Sequence, residues 1–343
     1  MKKHVNIPIF IPHLGCPNQC VFCNQRSITG VDDFSVENVK NEIETALSTI
    51  QGGTDVEIAF FGGSFTGIDR RLMEELLQIA HEYVTRGIVS SIRCSTRPDY
   101  INEEILKILK RYDVKTIELG LQSYDDEVLS ICKRGHTAYD ADRACRLIIE
   151  SGFDLVGQMM IGLPGSTINT EIATARFIIN SGAMGARIYP TVVFNDTELA
   201  RMAASKTYIP IELSEAIERS AAVFNLFIEN NVSVIRIGLC ASENLADESK
   251  YYAGPNHPAI GEMVEGEYYF NKISNLLKAT TIDRNCVPTV LVKKGALSKA
   301  IGHKKINRDR LIQKFGFADI TFREDSLLSG YEVKIEEGKR KCI

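Results

Sequence analysis

Apolar residues recur along the first 240 positions in two alternating rhythms. Continuous β-prone runs at 7–11, 56–61, 88–94, 114–119, 153–161 and 186–193 have the length and composition of buried strands. Between and after them, residues 36–50, 70–83, 103–110, 139–151, 170–180 and 214–229 carry the 3.6-residue spacing of helices with one apolar face. Six βα units followed by a further strand at 232–237 predict an α/β fold with a parallel sheet flanked by helices. The series runs to about Leu239, and six units fall short of a closed eightfold barrel. Turn signals at Gly254-Pro255 and His257-Pro258 then lead into a helical pattern over 260–278.

Composition narrows the class. The chain has 343 residues, 40 Lys plus Arg against 44 Asp plus Glu, a net charge of −4 and 44% hydrophobic residues. That balance excludes a disordered chain and a uniformly polybasic nucleic-acid binder, so any such contact must be a local patch. No apolar run approaches the roughly 18 residues of a membrane span. The stretch at 7–14 is broken by Pro8, Pro12 and His13 and makes a poor secretory leader. A soluble, cytoplasmic protein without a membrane partner is expected.

The nine cysteines are unevenly placed: three crowd together in Cys16-Pro17-Asn18-Gln19-Cys20-Val21-Phe22-Cys23, and six are scattered singly. An odd number and a tight cluster argue for a soft-metal site in a reducing compartment, not a disulfide framework. Three thiolates on one loop suit three irons of a cubane cluster, leaving the fourth iron open. A zinc site would need a fourth ligand, for which His4 or His13 is available. Lone cysteines such as Cys240 and Cys342 are expected to be inert.

CxxxCxxC with an aromatic before the last cysteine, placed after the first strand of a βα series, resembles the radical S-adenosylmethionine (SAM) superfamily. The resemblance implies a partial, laterally open (β/α)6 TIM-like barrel, a [4Fe–4S] cluster on Cys16, Cys20 and Cys23, and SAM as second cofactor. It further implies reductive cleavage of SAM to methionine and a 5′-deoxyadenosyl radical, with an electron donor such as ferredoxin or flavodoxin. Residues 61–65, Phe-Gly-Gly-Ser-Phe, are similar to the family's GGE-type motif, so Gly62, Gly63 and Ser64 are implied to meet the SAM amino group, beside Phe22 of the cysteine loop. Ser95, three residues before Pro98, stands where related enzymes often place a SAM-contacting Glu. Gln122 in Glu118-Leu119-Gly120-Leu121-Gln122-Ser123 matches a SAM-binding Gln. Arg134 in Lys133-Arg134-Gly135-His136-Thr137 matches an Arg that pairs with the SAM carboxylate, and Gln158 takes a ribose-binding position. His136 is expected to be structural. Arg187 and Tyr189, near the end of the sixth strand, are candidates either to face substrate or to serve packing.

Charge changes sharply near the C-terminus. Residues 287–323 hold nine basic side chains against Asp309 and Asp319, a net +7 that leaves −11 for the rest. The order there reads strand 287–293, helix 295–301, loop Gly302-His303-Lys304-Lys305, helix 307–315, strand 318–323. This βααβ pattern looks like the core of a KH domain, whose GxxG loop clamps a single-stranded backbone. An RNA contact through Gly302, His303, Lys304, Lys305 and Arg308 is expected, against a structural cap on the barrel; Lys305 replaces the second glycine.

Across residues 5–265, Thr96-Arg97-Pro98-Asp99-Tyr100, residues 187–191 and residues 257–262 most resemble the catalytic subunit of Elongator, which modifies wobble uridines with acetyl-CoA. No acetyltransferase domain is expected beyond Ile343, so only the radical chemistry and an RNA substrate, tRNA or rRNA, carry over. The expected domains are a barrel at 1–240, a bridging helical region at 241–280 and a small α+β, KH-like extension at 281–343. Alternatives are radical chemistry on a small molecule, as in coproporphyrinogen oxidases, and a non-catalytic zinc-bound RNA-binding protein.

Overall fold

The computed structural model describes residues 4–11, 14–16, 20–23, 34–239, 250–280, 282 and 286–338. Seven parallel strands form its main sheet: β1 (His4–Ile11), β2 (Asp55–Gly62), β3 (Ser91–Thr96), β4 (Val114–Gln122), β5 (Asp154–Ile161), β6 (Gly185–Pro190) and, after the two-residue strand β7 (Val193–Phe194), β8 (Ser233–Ile237). The order is sequential, β1-β2-β3-β4-β5-β6-β8, and the sheet curls into a partial TIM-like barrel. Among the described residues β1 pairs only with β2 and β8 only with β6, so the barrel they form is open at one side.

The parity of each strand builds the core. Ile7, Ile9 and Ile11 are buried on the helix-facing side with Ile58, Phe60, Ile92, Cys94, Ile117, Leu119, Leu155 and Ile161. Along the same strands Glu57, Arg93, Glu118, Gln158 and Arg187 hydrogen-bond to one another across the concave face. Packing the outer layer draws these polar residues inside, because successive side chains point to opposite faces.

Some expected boundaries move for identifiable reasons. The third strand begins at Ser91, not at residue 88, because the amides of Ile88 and Val89 both bond the carbonyl of Tyr83 and close the preceding helix, Arg70–Thr85. The sixth strand ends at Pro190, and Val193–Phe194 instead pairs antiparallel with β9 (Tyr251–Ala253). Two short helices were not expected, Asp126–Ile131 and Glu198–Ala204. Asp125 and Thr197 cap them, accepting from the amides of Val128 and Ala200.

The 20-residue helix Ile260–Ala279 packs on the barrel helix Leu213–Glu229, with Phe224 edge-on to Tyr268. It also supports the C-terminal βααβ unit: β10 (Thr289–Lys293), helix Leu297–Ile301, helix Ile306–Phe315 and β11 (Thr321–Asp325). β10 and β11 pair in parallel, and an unexpected third strand, β12 (Val333–Glu336), adds antiparallel to β10. Among the described residues no helix is long and apolar enough to cross a membrane.

Candidate functional site

The chemistry-bearing residues meet at the carboxyl ends of β1 to β5. There the cysteine loop after β1 is fastened to its surroundings by backbone hydrogen bonds. The Val21 amide donates to the Cys132 carbonyl at 3.2 Å, the Leu199 amide to the Val21 carbonyl at 2.8 Å, and the Cys23 amide to the Cys20 carbonyl at 3.0 Å. Val21 is buried with Val128, Leu163 and Leu199, and Phe22 packs against that cluster. Both unexpected helices therefore help hold the loop.

Two glycines make the loop's approach to β2 possible. A Cβ on Gly63 would lie 1.9 Å from the Leu14 carbonyl oxygen, and one on Gly15 (φ +73°) 2.1 Å from that of Ser64. The Gly63 amide donates to Ile11 and the Ser64 amide to Leu14, so these donors are engaged within the protein. An incoming ammonium, which only donates, would need carbonyl oxygens from this edge. The Ser64 side chain is fully buried, 2.9 Å from the Thr96 hydroxyl, which in turn lies 2.6 Å from Thr66. Ser64 locks β2 to β3, and a ligand there would meet its backbone carbonyl, which already accepts from the Gly67 amide at 2.9 Å.

At the end of β4 the ladder is irregular between Gly120 and Gln122, and Gln122 takes φ +68°, a left-handed conformation rare outside glycine. Arg134 reaches the same place: Nη2 donates to the Gly120 carbonyl at 2.7 Å and Nη1 to Cys20 Sγ at 3.2 Å. Arg97 is a second guanidinium at that sulfur, with Nη1 3.9 Å away. Burial pushes the Cys16 thiol up, against the opposing charges of Arg97 and Arg134. Buried Cys94, Cys132 and Cys145 are pushed up to about 12 by desolvation, which leaves them unreactive thiols.

Ser95 and Gln158 are brought together deeper in the barrel, Gln158 Nε2 lying 3.3 Å from Ser95 Oγ and 3.0 Å from Glu118 Oε2. Glu118, fully buried, also accepts from Arg93 at 2.8 Å and Arg187 at 2.9 Å, while Arg93 bridges to Glu57 at 2.6 Å. Two acids and two guanidiniums thus form a charge-balanced floor. Burial pushes Glu118 up, but Arg187 and Arg93 outweigh it and hold the carboxyl below its usual range. Arg187 further lies over the Phe61 ring, 5.5 Å from its centroid.

His4 sits at the opposite end of β1, paired with Asp55 at 2.9 Å. A strand of this length spans about 23 Å, so His4 cannot complete a zinc site with Cys16. His13, Cys240 and Cys342 lie outside the described residues. Among the described residues, no three His, Cys, Asp or Glu side chains converge as ligands of one ion.

In the C-terminal unit six of the nine basic residues fall into two groups. Lys299 pairs with Glu265 at 2.7 Å, Arg308 with Asp319 at 2.6 Å, and Arg310 with Glu267 while lying 3.6 Å over Phe270, beside Lys314. Lys304 and Lys305, by contrast, are exposed on the loop with φ +50° and +65°. Lys305 adopts the left-handed conformation a second glycine would favour. Buried Asn307 fixes the loop's base, donating to the Gly266 carbonyl at 2.8 Å and to Ala300 at 3.2 Å. A Cβ on Gly302 would meet Asn307 at 2.8 Å.

Comparison with known proteins agrees with this architecture. The Radical SAM superfamily model matches residues 10–178 and the Radical_SAM C-terminal domain model residues 183–269. The chain belongs to the radical SAM superfamily, is an enzyme of that class, and has a [4Fe–4S] cluster and SAM as cofactors. Within it, the domain is of the Elongator protein 3 kind. A tRNA uridine(34) acetyltransferase of Methanocaldococcus infernus is 36% identical over 244 residues, covering 59% of this chain and 46% of the relative. Human Elongator complex protein 3 is 25% identical over 256 residues, covering 62% and 47%. The structure of archaeal Elp3 from M. infernus with an N-terminal deletion superposes with TM-score 0.61 at 19% identity, over 87% of this chain and 73% of that one. The chain spans about half the length of these curated relatives.

The residues present fit the two cofactors. Three thiols share one loop, guanidiniums lie against one of them, and the glycine edge approaches so closely that any side chain would obstruct it. Arg97, Thr96, Glu118 and Arg93 belong to this neighbourhood although no individual role was expected of them. Thr96 and Arg97 in one strand-end motif, and Glu118 in another, hinted at it.

Proposed function

We propose that this radical SAM enzyme modifies a nucleoside in tRNA or rRNA, with the cluster held by Cys16, Cys20 and Cys23. The observation that carries the reading is the convergence of Cys20 and Gly120, from separate segments, on the Arg134 guanidinium, whose Nη1 and Nη2 donate to the Cys20 sulfur and the Gly120 carbonyl. Thiolates of a cubane each bind a different iron and need not converge on one point. A cluster held by these cysteines would supply the single electron for reductive cleavage of SAM.

The chain's own residues bind and orient. Arg134 offers a planar fork suited to the SAM carboxylate. Carbonyls of the Gly62–Ser64 edge suit its ammonium, Gln122 its polar groups, and Phe22 backs the loop. Ser95 and Gln158 lie deeper; Gln158 keeps its amide oxygen to accept a ribose hydroxyl while its amide nitrogen serves Glu118. We read residues 1–240 as the barrel, 241–280 as the bridge and 281–343 as an RNA-facing extension whose contact is Gly302, His303, Lys304 and Lys305, with Arg308 behind them. An electron donor of the ferredoxin or flavodoxin type and a cytoplasmic setting complete the reading. The archaeal relative's name, a tRNA uridine(34) acetyltransferase, supports RNA as the substrate class.

Cys16→Ala, reconstituted without oxygen, should lose iron and 5′-deoxyadenosine formation together. SAM cleavage at the wild-type rate would refute the cluster assignment. Mass spectrometry of RNA nucleosides from cells with and without the protein should reveal one missing modification; identical profiles would remove the RNA reading.

A further inference from the structure

Arg97 is buried to 4% exposure and held on three sides. Its Nε and Nη2 lie 2.9 and 3.0 Å from the two carboxylate oxygens of Asp99, Nη2 also donates to the Arg134 carbonyl, and Nη1 points at Cys20 Sγ. Arg134 touches the same sulfur but is matched to the SAM carboxylate. Arg97 has no such task, and its contacts fix it before any ligand arrives.

A cluster that accepts an electron gains a negative charge in a dry site, where a fixed cation is weakly screened. Hydrogen bonds to cluster sulfurs and nearby net charge set the potential of iron–sulfur centres. We propose that Arg97 is the positioning residue that raises the reduction potential of the cluster, and that Asp99 moderates it by partly neutralising the guanidinium. The proposal rests on the assignment of Cys20 as a cluster ligand. The couple is simple: [4Fe–4S]2+ takes one electron from a reduced viologen and becomes [4Fe–4S]+, with no bond made or broken.

The test is a redox titration of the full chain, reconstituted anaerobically, with viologen mediators and electron paramagnetic resonance of the reduced cluster. Arg97→Gln should lower the reduction equilibrium constant about tenfold, 59 mV downward for a one-electron couple. Arg97→Lys, which keeps the charge, should restore most of it, and Asp99→Asn should shift the potential upward. Opposite signs for Arg97→Gln and Asp99→Asn are what a merely structural role would not produce. An unchanged Arg97→Gln potential, or both variants moving the same way, overturns the proposal. Should Arg97→Gln fail to load iron, Asp99→Asn decides alone: an upward shift supports the proposal and any other result overturns it. A wild-type protein without a reducible cluster would instead sink the underlying ligand assignment.

Discussion

Arg187 and Glu118 face each other inside the barrel, Nε 2.6 Å from Oε2 and Nη2 2.9 Å from Oε1, from strands separated by β5. Glu118 has no exposed surface and joins Arg187, Arg93 and Gln158 at one carboxylate. Removing its charge leaves two buried guanidiniums with a single carboxylate between them. Glu118→Gln should therefore cost about 3–5 kcal/mol, the range for breaking a buried pair. Urea unfolding with an unchanged m-value would measure it; a loss under about 1 kcal/mol, typical of surface pairs, would contradict it.

His136 provides a pH signature. Its ring is buried, and burial first, then the charge of Arg134, push its pKa down to about 3. The unfolded ring takes a proton near 6.5, so between those values the unfolded chain binds a proton the folded one refuses. The contribution is present above about pH 6.5 and is lost as pH falls toward 3, about 1.4 kcal/mol of it by pH 5.5. Unfolding at pH 7.5 and 5.5 should show a wild-type drop that is smaller in His136→Asn. Equal drops would refute a neutral buried imidazole.

Gly63→Ala isolates the contact between the cysteine loop and β2. Its Cβ would sit 1.9 Å from the Leu14 oxygen, backbone against backbone, so the loop must move. The expected outcome is a several-fold loss of iron after reconstitution, with far-ultraviolet circular dichroism unchanged. Full iron loading would show that the close approach is dispensable.

Lys304 and Lys305 should carry the salt dependence of RNA binding. Replacing both by Glu would remove two of the proposed phosphate contacts and should flatten the log–log salt slope by about 1.4, at roughly 0.7 per contact with a single strand. Arg310→Gln should lower thermal stability instead, through loss of Glu267 and Phe270, and leave that slope alone. An altered slope in Arg310→Gln would overturn the division of the basic residues.

The sheet was legible because parallel strands covered on both faces are continuous apolar runs, and the cysteine cluster because its spacing carries its chemistry. The helices Asp126–Ile131 and Glu198–Ala204 are too short for periodicity and announce themselves only through their caps. β12 is four residues long and half exposed, so its pairing to β10 has little local signature. Net charge misled in a specific way: Lys299 and Arg310 find carboxylates on a helix more than thirty residues earlier, and a linear count cannot see such pairs. Arg97 was visible as a letter in a motif, but its reach to Cys20 exists only once β3 ends beside the first loop.

The helix Ile260–Ala279 touches the barrel through Tyr268 and the basic unit through Glu265, Gly266 and Glu267. Such a strut fixes the reach between the exposed lysines and the mouth of the barrel. For an RNA gripped at the loop, as proposed, the distance to that mouth would be set by one rigid helix and not by a slack tether.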